Sequence, residues 1–476
     1  MNMQPACTCA TIDSALASGE ALMRRPMPPP PPDETMKLIV ESEPAKITRI
    51  LTAPGAGPTD PYLPWDKLRY KNPPADLTHE EWWAGIKLAR RRVQRKLPLV
   101  DTDDKPFVFA LPDVILRSLE EVSRDASGKI TISEQVTNPA TRDRYLINSL
   151  IEEAINSSQL EGASTSRVVA KEMIRTQRQP RDRDERMIYN NYQAMRMIGD
   201  LRNERLTPEM ICEIHRVVTD GTLDNPNASG RFQLPDEDRV GVWNGDLLLH
   251  TPPAAETLPA RIQKLCDFAN GELDDAYIPP VLRAITVHFM IGYDHPFEDG
   301  NGRTARALFY WSMLNQGYWL TEYVAISPIL KNAPSKYAHS YLHSEDDEND
   351  LTYFHLYQLG VLRRSITQLH EYLSKKAEEV RELQQTISGA QNLFNHRQIA
   401  LLNHALKNPG SSVTAQSHMT SHNIVYETAR QDLIGLENYG LLAKSKSGRS
   451  FSWKPVEDLG QRLREMNKES GAPAAQ

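Results

Sequence analysis

His295-Pro296-Phe297-Glu298-Asp299-Gly300-Asn301-Gly302-Arg303-Thr304-Ala305-Arg306 puts a base, two acids, two glycines and two guanidinium groups within twelve residues. Gly300 and Gly302 flank Asn301, so successive backbone N–H groups can converge into an anion-binding nest. A helix starting near Gly302 adds the positive end of its dipole. Arg303 and Arg306, three residues apart on that helix, share a face from which both can reach a polyphosphate, with paired donors on each guanidinium. Asp299 offers the hard oxygen that Mg²⁺ takes beside phosphates. His295 has an ordinary pKa near 6.5, so it can be neutral at pH 7 and accept a proton from an attacking hydroxyl. Base, metal and charge neutralisation together suit transfer of part of a nucleotide onto a hydroxyl.

The stretch also resembles the signature of Fic-domain proteins, H-P-F-x-[D/E]-G-N-G-R-x-x-R, and matches all nine of its constrained positions. The resemblance extends over roughly residues 140–375. It implies a mainly α fold, a Fic-type helical core with a β-hairpin flap, and protein AMPylation with ATP as co-substrate and Mg²⁺ as cofactor. In that reading His295 deprotonates a Ser, Thr or Tyr hydroxyl and Asp299 holds Mg²⁺. Gly300, Asn301 and Gly302 cradle the phosphates, Arg303 neutralises the leaving pyrophosphate, and Arg306 contacts the γ-phosphate. Phe297 is a core anchor for the loop. Relatives that transfer the terminal phosphate carry lysine at the position of Gly302, so glycine there points to nucleotidyl transfer.

Upstream, Ser157-Ser158-Gln159-Leu160-Glu161-Gly162 resembles the S-x-x-x-E-G motif of the Fic inhibitory helix, expected around residues 145–162. Ser157 and Glu161 are four apart and share a helical face, so the hydroxyl can support the carboxylate. The resemblance implies that Glu161 pairs with Arg306 and holds ATP in an unproductive pose. The plain alternative is a surface Glu-Gly with Gly162 as helix cap. Two further readings stay open: removal of AMP from a modified protein by the same site, and a nucleotide-sensing DNA-binding regulator.

Between residues 140 and 375 the pattern is otherwise helical. Leu146, Leu150, Ile151, Ala154 and Ile155 form one stripe, and Thr207-Pro208 opens another helix with an N-cap and proline at its first position. Residues 240–249 break the pattern. Asn244-Gly245 between apolar runs predicts a type I′ hairpin, which the resemblance makes a flap that receives a target-protein segment as an added strand. Tyr337 and Tyr341 are candidates for the base-binding wall. His288 reads as a core histidine, and the i,i+4 pairs His339/His343 and His418/His422 as helix-surface residues rather than metal ligands, having no third ligand.

Outward from this core, residues 59–139 read as an N-terminal helical extension, with a capping box at Thr78-His79-Glu80-Glu81 and a solvated basic run from Arg90 to Arg95. Residues 1–58, with a proline run at Pro28–Pro32, read as a disordered leader with one short element near Met36–Leu51. Residues 376–391 read as a helical linker, and 392–457 as a winged helix-turn-helix of three helices and a basic hairpin. Residues 458–476 read as a tail. Residues 395–455 hold seven Lys+Arg against three Asp+Glu in a chain of net charge −7, which makes DNA a candidate partner there, set against a docking or dimerisation role and the acids Glu427, Asp432 and Glu437. The 476 residues, 40% hydrophobic, exclude global disorder. Four cysteines are too few for a disulfide framework, Cys7 and Cys9 read as inert, and no stretch is long and apolar enough for a membrane span. The expectation is a cytoplasmic protein with no membrane partner, and a homodimer is a possible control on the inhibitory helix.

Overall fold

The stripe Leu150, Ile151, Ala154 and Ile155 does lie on one buried face of a helix, Pro139–Leu160, which packs on the helix Arg183–Asp200. The computed structural model describes residues 23–74, 76–127, 139–273, 276–389, 393–407, 411–447 and 450–469. Among the described residues the architecture is mainly α, with three separate two-stranded antiparallel hairpins. The chain divides between Leu369 and His370 into two compact units, and the helix Thr352–Gly389 runs through the division.

At the centre of the first unit two helices pack on each other, Pro280–Asp294 and Asn301–Asn315. Both are buried around nearly their whole circumference, as a helix must be when its apolar residues are not confined to one stripe. Helices Pro139–Leu160, Arg183–Asp200 and Pro208–Thr219 pack around Asn301–Asn315, and Leu258–Ala269 packs on Pro280–Asp294. The helix Pro208–Thr219 begins as its sequence predicts: the Thr207 side chain accepts from the Met210 N–H, and Pro208 occupies a position where no N–H is needed.

The N-terminal region departs from expectation. Two helices, Pro32–Val40 and Pro44–Leu51, pack on His79–Val93, whose capping box at Thr78 and Glu81 is present. They fold because Ile39 and Ile50 find buried places beside Leu77 and Ala84. Proline opens each helix rather than breaking it. Residues 1–22, with Cys7 and Cys9, lie outside the described residues. The extension contains a hairpin, Arg95–Val100 with Pro106–Phe109, as well as helices. Arg90 is not on a solvated face: it is buried, stacked 3.7 Å over the Tyr62 ring, donating to Tyr353 Oη and the Leu63 carbonyl.

In the second unit, helices His396–Lys407, Ala415–His422 and Tyr426–Asn438 are followed by the hairpin Leu442–Ser447/Ser450–Pro455. Val413 exchanges two backbone hydrogen bonds with Trp453. The chain continues into a further helix, Leu459–Glu469, where only a tail was expected. Leu459 and Leu463 enter the core with Leu401, Leu402, Leu433, Leu436 and Trp453. Of the His418/His422 pair, His418 is not a surface residue: it is buried and faces Asp432, which also binds Arg397. The helix Leu459–Glu469 being part of this core, Leu463→Ala is expected to destabilise the second unit by about 2–5 kcal/mol. Hydrogen exchange of the full chain should show lost protection in residues 396–466 and unchanged protection in the first unit.

Candidate active site

The helix Pro280–Asp294 ends where His295 turns left-handed, with φ 43° and ψ 53°. The loop that follows is clamped by Asn301, whose Nδ2 donates to the Phe297 carbonyl at 2.8 Å and whose Oδ1 accepts the Phe297 N–H at 3.0 Å. Phe297 is fully buried as expected and lies flat on the His215 ring, 3.7 Å between centroids. His215 in turn donates from Nε2 to the Asp299 carbonyl and accepts the Gly230 N–H at Nδ1. These partners require a neutral ring, and burial pulls its pKa down to about 4. Sequence reading missed His215. It sits on an apolar helix face beside Ile211, Ile214 and Val218, where a histidine looks structural.

Gly300 caps the helix Asn301–Asn315 with φ 83° and, having no side chain, makes no capping bond of its own. Asp299 Oδ1 accepts the Gly300 N–H, while Oδ2 lies 3.5 Å from Arg303 Nη2. Arg303 is buried and donates once, from Nη1 to the Val218 carbonyl at 2.9 Å. Its Nε and Nη2 have no hydrogen-bond partner. Arg306, equally buried, donates from Nε to Ser157 Oγ at 2.8 Å, and from Nη2 to the Ser157 carbonyl at 3.0 Å and Glu161 Oε1 at 2.8 Å. Its Nη1 is unpartnered. Leaving buried donors unmet costs about 1–3 kcal/mol each, more when charged. These guanidinium groups are therefore arranged for an anion that binds alongside them.

Ser157 and Glu161 thus meet Arg306 together, although the hydroxyl supports the arginine and not, as expected, the carboxylate. The Glu161 carboxylate lies directly over the first turn of the helix: a Cβ on Gly302 would stand 2.2 Å from its Oε1. Gly162, with φ 97°, turns the chain away after the helix Pro139–Leu160. Tyr337 donates or accepts at His288 Nε2, 2.7 Å away, and His288 is the core histidine expected. Tyr341 Oη lies 3.5 Å from Tyr337 Oη.

The hairpin is Val242–Asn244 paired with Leu247–His250. Its turn differs from the sequence reading. Asn244 pairs with Leu247, so the central residues are Gly245-Asp246, and only Gly245 has positive φ, 58°. A type I′ turn needs positive φ at both. Asn244 instead has a buried side chain that donates to the Met23 carbonyl. Arg239, just before the hairpin, donates to the Asp294 and His295 carbonyls at the end of the helix Pro280–Asp294.

Desolvation, with His250 and Arg239 nearby, draws the His295 pKa down to about 3, and Nδ1 faces the Gly292 carbonyl at 3.4 Å. The ring is neutral at pH 7, with Nε2 free to take a proton. Among the described residues no group of three or more His, Cys, Asp or Glu is arranged to hold a metal. Asp299 is the carboxylate here that could hold a metal, and one hard oxygen beside groups able to take phosphate is the donor set that Mg²⁺ accepts.

Residues 205–313, which include this site, match the family model of the Fic/DOC family. A Fic family protein from Desulfovibrio desulfuricans G20 has a similar fold, with a TM-score of 0.51 and 19% identity over 72% of this chain and 96% of that one. Similar curated proteins are "Protein adenylyltransferase Fic" of Nematostella vectensis, 32% identical over 117 residues, 25% of either chain, and "Protein adenylyltransferase fic-1" of Caenorhabditis elegans, 26% identical over 217 residues, 45% of this chain and 40% of that one. The Drosophila virilis "Protein adenylyltransferase Fic" is 28% identical over 236 residues, 49% of this chain and 44% of its own. The matches thus span less than half the length of each of these three curated relatives. Among the described residues no helix is long and apolar enough to cross a membrane.

The buried histidines set a pH dependence. His215 is held down to about 4, and His288 and His355 to about 3, all three by burial. Each is depressed below the ordinary 6.5, so the unfolded chain binds more protons as pH falls below that value, and the folded state loses stability. From pH 6.5 to 5 stability is expected to fall by about 1 kcal/mol per pH unit or more. The urea midpoint of the full chain at the two pH values measures it.

Proposed function

We propose that the protein is an Mg²⁺-dependent adenylyltransferase that moves AMP from ATP to a Ser, Thr or Tyr hydroxyl of a target protein, and that Glu161 restrains it. The observation that carries this reading is the pairing of two buried, incompletely bonded arginines with a carboxylate laid over the same helix N-terminus. An anion of the chain's own then stands where a nucleotide phosphate is needed.

In the reaction His295, neutral at physiological pH, takes the proton of the target hydroxyl. The hydroxyl oxygen forms a bond to the α-phosphorus, the bond between that phosphorus and the oxygen bridging to the β-phosphate breaks, and pyrophosphate leaves. The backbone of Gly300, Asn301 and Gly302 and the free donors of Arg303 receive the phosphates, and Arg306 receives the γ-phosphate once Glu161 moves away. Bound at Asp299, Mg²⁺ supplies neutralisation of the phosphate charge. The hairpin around residues 240–249 offers an edge strand on which a target segment can add, bringing its hydroxyl to His295. Tyr337, held by His288, is a candidate wall for the base.

Glu161→Gly removes one charge-assisted hydrogen bond to Arg306, about 1.5–3 kcal/mol, so AMP incorporation from α-labelled ATP should rise about tenfold or more. His295→Ala should abolish it. Undiminished labelling by the His295 variant would refute the assignment. Removal of AMP from a modified target by the same site predicts the opposite sign, a loss of activity in Glu161→Gly.

A second reading concerns the second unit, which has the element order of a winged helix. Of the three acids on or beside its third helix, Asp432 binds Arg397 and His418, Glu437 accepts from Trp453 Nε1, and Glu427 pairs with Arg430. The hairpin lysines Lys444, Lys446 and Lys454 are exposed, Lys444 and Lys446 on one face of the hairpin and Lys454 on the other. We propose DNA phosphates as their partner. Lys444→Glu with Lys446→Glu in the full chain should weaken binding to duplex DNA and flatten its salt dependence. A gel shift unaffected by these changes leaves protein docking as the unit's role.

A further inference from the structure

Two side chains bracket the hairpin, Arg239 before it and His250 at its last strand position, and both reach the C-terminal carbonyls of the helix Pro280–Asp294. Arg239 takes those of Asp294 and His295, and His250 Nε2 lies 2.7 Å from that of Tyr293. The other ring nitrogen, Nδ1, lies 2.7 Å from Glu345 Oε2 on the helix Pro334–Asp346. A carbonyl and a carboxylate accept and do not donate. Both ring nitrogens must therefore carry hydrogens, which is the cationic form.

We infer that His250 is a positioning residue, an imidazolium that together with Arg239 fastens the hairpin at both ends onto the helix terminus that delivers His295. The carbonyls at that terminus carry the negative end of the helix dipole, so two cations are favourable there. Of the charges around His250, Asp294 pairs with Arg261 on Leu258–Ala269, and Asp346 pairs with Arg25. Asp101 accepts from Asn349, and Tyr293 Oη from the Thr102 N–H. Glu345 is thus the carboxylate in contact with the ring, and the pair raises the His250 pKa against the opposing effect of burial. An open cavity of about 350 Å³, lined by Arg25, Asp101, Thr102, His250, Glu345 and Asn349, gives water access to the pair.

The fold-level consequence has a definite sign. A raised pKa means the fastening is complete below the ordinary value and is lost as pH climbs through the raised one. The neutral ring keeps a single N–H, which serves either the Tyr293 carbonyl or Glu345 but not both, so the hairpin keeps Arg239 at its entry while its exit is held by one bond in place of two, and its position relative to His295 depends on pH. This rests on the proposed function only in its effect on activity, and the test needs no activity.

The test uses the full chain labelled at histidine, with His250→Gln to assign the signal. NMR should show His250 doubly protonated at pH 7 and titrating above the ordinary 6.5, and Glu345→Gln should lower that titration by about one pH unit or more. Hydrogen exchange of the 242–250 amides, corrected for the intrinsic rate at each pH, should lose protection along the same titration. A neutral His250 at pH 7, or hairpin protection unchanged across its titration, overturns the inference. Should His250→Gln not fold, Glu345→Gln keeps His250 in place and decides by the same two measurements. AMP transfer that is absent while both are observed would refute the proposed activity and leave the positioning role intact.

Discussion

A buried guanidinium has to be answered, and Arg306 is answered from a different helix. It lies on Asn301–Asn315, sealed from water, and its hydrogen bonds run to Ser157 and Glu161 at the end of Pro139–Leu160. Removing one partner of such a contact is costly because the charge stays behind. The packing of those helices and the state of the site are therefore one problem. Glu153, a turn earlier on the same helix, adds to it: it is buried, accepts from Tyr310 Oη and the Ser327 N–H, and is pushed towards its neutral form. The carboxylate nearest Arg306 that remains free to leave is Glu161.

The loop around His295 follows a complementary logic. Its conformation is fixed by groups that do no chemistry, the Asn301 clamp on Phe297 and the His215 bridge between Gly230 and Asp299. The groups proposed to react are left incompletely bonded. Arg303 keeps two free donors beside an Asp299 carboxylate still open to solvent. A site built this way is preorganised by its neighbours and selective for an anion through its unmet donors.

Much of this was legible where local chemistry dictates structure. Thr78 and Thr207 cap their helices because their side chains answer nearby N–H groups, and Phe297 is buried because the loop folds over it. The pairing of Glu161 with Arg306 came from resemblance, not from spacing. What stayed hidden depends on distant partners. Arg90 reads as solvated until Tyr62 and Tyr353 arrive to stack and bond. Leu459 and Leu463 read as a tail until the second unit offers them a core. The helices at Pro32–Val40 and Pro44–Leu51 exist through burial against His79–Val93, which no local pattern announces. The turn lies at Gly245-Asp246, one residue on, with the Asn244 side chain buried and bonded to the Met23 carbonyl instead of shaping the turn.

The closeness of Glu161 to Gly302 binds two properties to a single absent atom. Any side chain at position 302, even a methyl, takes the space where the carboxylate rests. The swing of one flexible glutamate relieves that crowding, at the cost of the contact between Glu161 and Arg306. In this geometry a side chain at 302 and the Glu161–Arg306 contact exclude each other, so one position on the loop decides how closely the end of another helix can approach it.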